Sequence, residues 1–291
     1  MMRSVRYVCV LGISMAIVLA AAPVRAQTSE NLDLFVGPDG SKQPQDLGIN
    51  ANMGIRVSGN VGFPLVPALN IGAQIGAAGN FSDAAVHVLD QISSTSSRRQ
   101  IFFTAGVFNR TPRKLSWGLA YDHLVEHYFD DFQLGQFRGQ LGYEAVRDNE
   151  IGVWFTKSVK GADGKLGTTP VRLDPISQGN FFYRHIWATH AQTSAWIGVA
   201  SGHHDVVWVF PANPRDEHVV VYGADLHMPL SDRFAITGAA NFLTPTATGT
   251  VDAFLGVAFY PGRSAMRVDR NKYAPIAAVA NNPTFPVNLH R

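Results

Sequence analysis

The sequence predicts an all-β chain: a closed antiparallel transmembrane β-barrel of about 12 strands, with 10 as the alternative count, short periplasmic turns and longer external loops. Three observations predict it. Apolar and polar residues alternate with period two over stretches longer than the ~5 to 6 residues usual in soluble sheets. Tight turns join these stretches in every second gap, and longer loops fill the others. The non-apolar parity is rich in Gly, Asn, Gln and Ser but poor in Lys and Glu, which suits an enclosed polar lumen better than the solvated face of a β-sandwich.

Residues 1–26 read as a secretory signal peptide: Arg3 and Arg6 precede an apolar run over 7–22, and Val24-Arg25-Ala26 fits a small-residue cleavage site. Loss of Arg3, Arg6 and Arg25 leaves a formal charge of about −1, so a nucleic-acid partner has no electrostatic basis. Cys9, the only cysteine, leaves with this segment, and the exported chain then has no thiol for a disulfide framework, nucleophile or zinc-thiolate site. After it, no apolar run approaches the ~18 to 20 residues of a spanning helix.

The barrel domain is read over 27–260. A short first strand at 32–36 makes the count even. In 48–63, Ile49, Ala51, Met53, Ile55, Val57, Val61 and Phe63 share one parity, and Asn50, Asn52, Arg56, Ser58 and Asn60 the other. After a tight connection at 64–67, 69–80 repeats the pattern, with Ile71, Ala73 and Ile75 against Asn70, Gln74 and Asn80. Strands 100–109 and 115–127 flank the turn 110–114; 133–146 and 150–160 flank 147–149. Strands 180–190 and 192–201 follow almost without a break; 218–228 and 233–243 flank 229–232, and 250–260 closes the barrel, ending in Phe259 and Tyr260.

Of the longer gaps, 81–99 suggests one short helix at 82–92, capped by Ser82 with Val86 and Leu89 inward. Gaps 161–179 and 202–217 read as flexible external loops. The tail 261–291, where Pro275, Pro283 and Pro286 limit regular structure, lies in the periplasm or enters the lumen. Aromatic residues gather near strand ends, among them Phe63, Trp117, Tyr121, Tyr128, Phe129, Phe181, Phe182, Tyr183, Trp208, Phe210, Phe259 and Tyr260, as at a membrane interface.

Four stretches carry a family likeness: 40–51 (GSKQPQDLGINA), 117–122 (WGLAYD), 134–138 (LGQFR) and 275–285. In these the chain resembles an uncharacterised family of predicted β-barrel proteins from planctomycete bacteria. The resemblance implies a barrel fold and an outer-membrane location, and it carries no activity or functional residue.

Chemistry-bearing clusters are sparse. His203, His204, Asp205 and His218 offer metal ligands, but adjacent histidines diverge on an extended chain and the segment reads as a solvated loop. His123, Glu126 and His127, with His185 and His190, lack the His-x-Ser-Asn-Gly run of an outer-membrane phospholipase. Gly161 to Gly167 lacks the ligand ladder of a calcium loop and the ending of a nucleotide loop. Arg98-Arg99, Asp130-Asp131 and Asp216-Glu217 read as solvated loop charges. No catalytic group, metal or cofactor is predicted.

The candidate site is the lumen, lined by Asn50, Asn52, Arg56, Asn60, Asn70, Gln74, Asp122, Gln136, Arg138, Gln140, Glu144, Asp225 and His227. Mixed Arg and acid groups across a narrow bore either bias which solutes pass or close it with mutual salt bridges. The expectation is an outer-membrane, porin-like barrel giving passive passage to small polar solutes, with membrane lipid and the barrel assembly machinery as partners. The alternative is a closed structural or adhesive barrel that binds through its external loops.

Overall fold

A computed structural model describes residues 30–46, 51–84, 97–111, 115–201, 218–244, 250–268 and 271–290. Its strands are β1 (Leu32–Lys42), β2 (Asn52–Val66), β3 (Ile71–Ala84), β4 (Ser97–Arg110), β5 (Leu115–His127), β6 (Asp131–Val146), β7 (Asn149–Lys160), β8 (Ala162–Leu166), β9 (Thr169–Pro175), β10 (Gln178–Ile186), β11 (Gln192–Ser201), β12 (His218–Pro229), β13 (Phe234–Thr244), β14 (Thr250–Phe259) and β15 (Val287–His290). Twelve of them close into an antiparallel barrel in the order β1-β14-β13-β12-β11-β10-β7-β6-β5-β4-β3-β2. Closure leaves no open edge to hydrogen-bond with lipid or with another chain.

The alternation read from the sequence sets the two faces. On β2, Met53, Ile55 and Val57 are 64%, 56% and 41% exposed, whereas Arg56 between them is 2% exposed. The register follows, because a slip of one residue would turn Arg56 into the hydrocarbon and Ile55 into the lumen. Leu34 and Val36 on β1, Val153 and Phe155 on β7, and Leu255 and Val257 on β14 continue the apolar outer surface.

Each strand of the sequence reading is present, with some ends moved. β1 runs to Lys42, six residues past the expected end, because it pairs along its length with both β2 and β14. β10 stops at Ile186: the chain turns over 187–191, and His190 takes a left-handed φ of 62°. Ser82 is not a helix cap; it pairs within β3 opposite Arg98. Residues 83 and 84 also belong to β3, and the rest of the expected helix, 85–92, lies outside the described residues, as do the signal segment, 202–217, Trp208 and Phe210.

The largest difference is at 161–179. In place of a flexible loop, β8 and β9 form a hairpin between β7 and β10, and β15, from the C-terminal tail, adds to it as a third strand, order β15-β9-β8. The glycines that suggested flexibility serve the turn and its packing: Gly167, at φ 60°, sits in the hairpin turn, and Gly164 lies against the Phe132 ring, where a Cβ would come within 2.5 Å.

The barrel has two distinct ends. Tight turns, including 67–70, 147–148 and 230–233, mark the turn end, where β1 begins and β14 finishes. The other gaps mark the loop end, where the three-stranded sheet lies. There the main apolar core is inside the barrel: Phe102, Leu124, Phe132 and Leu134 of the wall meet Leu166, Val171 and Leu173 of the hairpin and Val279, Phe285, Val287 and Leu289 of the tail. Phe102 and Phe285 meet edge to face at 5.9 Å. Three of the aromatics expected at the membrane interface, Tyr128, Phe182 and Tyr260, are instead buried inside, on the lumenal parity or just past a strand end.

Candidate functional site

The tail leaves β14 at the turn end and joins β9 at the loop end, so it traverses the lumen. Its path follows the inner wall of β2 to β6. Three wall glycines give it room: a Cβ on Gly62 would stand 2.0 Å from the Tyr273 carbonyl oxygen, on Gly76 2.4 Å from Val279 Cγ2, and on Gly118 2.6 Å from Ile276 Cγ2. Any larger side chain at these points would meet the tail, most severely at Gly62, where the obstacle is backbone.

Wall side chains then satisfy the tail's backbone groups, which have no ladder of their own in this stretch. Gln74 accepts from the N–H groups of Ile276 and Ala277 and donates to the Ala277 carbonyl at 2.9 Å; Asn60 donates to the same carbonyl at 3.0 Å. Arg138 donates to Ala278 O at 2.7 Å, and Arg56 to the carbonyls of Val279 and Ala280 at 3.2 and 3.3 Å. Thr104 Oγ1 accepts from Ala280 N–H, and Gln136 donates to Thr284 O at 2.9 Å. Asp122 orients this set by accepting from Thr104, Gln136 and Arg138 at 2.7, 3.1 and 3.0 Å.

Further toward the loop end, Asn281 caps a 3-10 turn at Asn282–Thr284 in a reciprocal box with Thr284. Asn282 donates to Asp39, and Gln43 donates to Asp252 while its Oε1 accepts from Val287 N–H. Arg98 lies at the centre, fully buried, 3.2 Å from Asp46 and 3.7 Å from Glu126. This corrects the reading of Arg98 as a solvated loop charge: it has the lumenal parity of Gln100 and finds two carboxylates there. Burial raises the Asp46 carboxyl above its ordinary value, against the pull of Arg98 and the hydrogen bonds from Gln43 and Asn52.

Of the other candidates, Asn52 holds Asp46 at 2.7 Å. Gln140, Asp225 and His227 line a cavity described below, and His227 Nε2 lies 3.0 Å from Ala265 O. Two candidates need correction. Asn70 is no wall residue; it takes a left-handed φ of 54° to end the 3-10 turn Pro67–Leu69 and receives Lys272 Nζ at 3.1 Å. Glu144 lies at the strand end, where it accepts from Asp148 N–H in the turn. Asn50 lies outside the described residues, as do His203, His204 and Asp205. His185 bonds Asn149, and His123 stacks beside Tyr121.

The predicted lumen lining omitted Asp39, Asn80, Arg98, Thr104, Glu126, Trp154, Arg184, Trp196 and Asp252. Most share the parity of the named residues, and alternation extended to the strand ends would have found them.

Between the tail and the opposite wall, β10 to β14, a cavity of about 310 Å³ remains. Its lining extends from Asn31, Arg110 and Ser264 at the turn end inward to Pro283 and Thr284 of the tail. Ile176, Ala200, Val219, Val221 and Leu243 form a second apolar cluster inside the wall toward the loop end. The lumen is thus a vestibule at one end and a packed interior at the other.

With this geometry established, comparison with known families decides the kinship: a family model described as a family of unknown function, DUF6666, matches residues 31–287. The chain belongs to that family. No curated protein matches it. Among solved structures, a chain from a study of the in-meso crystallisation of membrane proteins is similar with a TM-score of 0.51 at 9% identity, covering 88% of this chain and 100% of that one. The NanC porin gives 0.45 at 8%, covering 79% and 98%. The translocator domain of autotransporter NalP from Neisseria meningitidis gives 0.45 at 11%, covering 88% and 97%. At 9% identity the likeness to the first of these concerns the fold alone.

Proposed function

We propose that this member of DUF6666 is an outer-membrane, porin-like barrel that is closed by its own C-terminal segment, and that small polar solutes pass only when that segment withdraws. The observation that carries the reading is the tail's path: it crosses the whole lumen and ends as a strand on the hairpin at the loop mouth. The apolar outer surface suits contact with membrane lipid. The short turns suit the periplasmic side, which makes the vestibule a periplasmic opening.

Energetics favour the closed state. Exposing Phe285, Val287 and Leu289 alone costs roughly 5–9 kcal/mol at the usual transfer energies. At 1.4 kcal/mol per tenfold, an open state is then rarer than about one molecule in a thousand. What would remain on withdrawal is a twelve-strand lumen edged by Arg56, Arg138, Gln74 and Asp122, polar and narrow.

Planar-bilayer recording tests the reading. The full chain is expected to show no steady conductance, and a chain ending at Tyr260, shown to be folded by its heat-modifiable gel mobility, is expected to conduct. A folded truncated barrel that passes no current would defeat passage. The apolar seal at the loop mouth favours, in that case, the second reading of a closed barrel acting through its external surface.

A further inference from the structure

We propose that the vestibule is a binding site for a small organic carboxylate that carries a flat ring. The inference goes beyond solute passage and does not depend on it, since a ligand reaching the vestibule from the turn end need not cross the barrel.

The cavity's size falls within the ~300–1,000 Å³ of small-molecule pockets. One wall presents N–H donors, two of which, on Arg138 and Gln140, lack an acceptor. Arg56 is buried, and its hydrogen bonds go only to neutral oxygens, those of Asn80, Val279 and Ala280. Among the described residues no carboxylate oxygen stands within 4.0 Å of it. Arg138, 7% exposed, gives one guanidinium nitrogen to Asp122 and Ala278 but keeps Nε unpartnered, and Gln140 Nε2 is buried without an acceptor. A buried guanidinium facing neutral oxygens is strongly disposed to accept a carboxylate, because charge-assisted hydrogen bonds are about twice as strong as neutral ones.

The carboxylates in the lining do not fill that role. Asp225 accepts from Ser194 and faces Arg184, whose guanidinium also holds Glu150 at 2.7 Å. Asp33 and Asp39 act on Arg56 through their fields, but the hydrogen bonds of Arg56 go to neither. Beside the donors stand rings: Trp154 and Trp196 meet edge to face at 5.8 Å, and Trp196 is anchored by donating from Nε1 to Asn241. Gln140 pairs directly across from Trp154 in the β6–β7 ladder, so donors and rings adjoin at one depth. Cationic and amide N–H donors beside aromatic rings select a ring bearing a carboxylate over a neutral or cationic solute.

Benzoate is the probe, with benzamide as its neutral isostere, titrated into the full chain in detergent and followed by tryptophan fluorescence. Saturable quenching by benzoate is expected, with benzamide at least ten-fold weaker. Gln140→Leu, at a side chain whose nitrogen has no partner to lose, should weaken benzoate several-fold and leave benzamide unchanged. Trp154→Phe should remove most of the signal change while calorimetry still detects binding. Equal affinity for benzoate and benzamide, or no saturable binding of benzoate by the folded barrel in calorimetry, would overturn the proposal.

Discussion

The two ends of the lumen use the same alternating strands to opposite effect. At the loop end the inner parity carries Phe102, Leu124, Leu134, Val221 and Leu243, all at or below 1% exposed, and a folded sheet fills the space between them. At the turn end the same parity carries Gln140, Arg184, Ser194, Asp225 and His227 around a cavity. An inner face can therefore be apolar where other protein covers it and must be polar where water reaches it. The difference teaches that this barrel is sealed from one side by packing and left accessible from the other by chemistry.

The largest expected effect lies at the sealed end. Arg98→Ala would leave Asp46 and Glu126 as like charges in a dry site, and the unfolding free energy in detergent is expected to fall by about 3–5 kcal/mol. A loss below about 1 kcal/mol would mean that the site is wet and that the contrast between the ends is false. Phe285→Ala removes a ring from the apolar seal and is expected to cost about 3–5 kcal/mol, detected as faster hydrogen exchange at the β9 and β15 amides while the wall strands keep their protection. Unchanged exchange there would show that the sheet does not depend on the seal.

Gly62→Ala sharpens the comparison along the tail's path. The new Cβ meets the Tyr273 carbonyl, so the tail near 273–277 is expected to shift, costing about 1–3 kcal/mol, with increased proteolysis between Tyr273 and Ile276 and an intact barrel. Gln74→Leu removes three hydrogen bonds to the tail and leaves the Ile276 and Ala277 N–H groups without this acceptor, while the Ala277 carbonyl keeps Asn60. A loss of about 1–3 kcal/mol is expected, and a neutral result would locate the tail elsewhere.

How much of this was readable follows from what constrains each residue. The outside was legible because lipid demands an apolar side chain at every second position: Met53, Ile55 and Val57 against Arg56 is a pattern with one reading. The inner seal was not, because Val219-Val220-Val221-Tyr222 is apolar on both faces and alternation vanishes where the lumen is dry. β8 is 5 residues long and pairs with β9 across a tight turn, whereas β15 is 4 residues long and gains its partner, β9, from a distant segment, which no local pattern reveals. Arg98 read as a loop charge because it adjoins a long gap, although its parity with Gln100 pointed inward. Parity alone named the polar candidates Arg56, Asn60, Gln74, Asp122, Gln136 and Arg138; for their common partner, the tail, it left a periplasmic course and entry into the lumen both open.

The central claim is that the tail runs the length of the lumen and docks on the hairpin at its far end. Asp174 and Asn288 are directly paired across β9 and β15, and paired strand positions lie within the ~4.4–6.8 Å Cα separation a disulfide needs. In a Cys9→Ser background the double variant Asp174→Cys, Asn288→Cys is expected to oxidise completely within one chain, found as a single linked peptide pair by mass spectrometry of the folded barrel. Two free thiols per chain after oxidation would place the C-terminal segment outside the lumen and contradict the account.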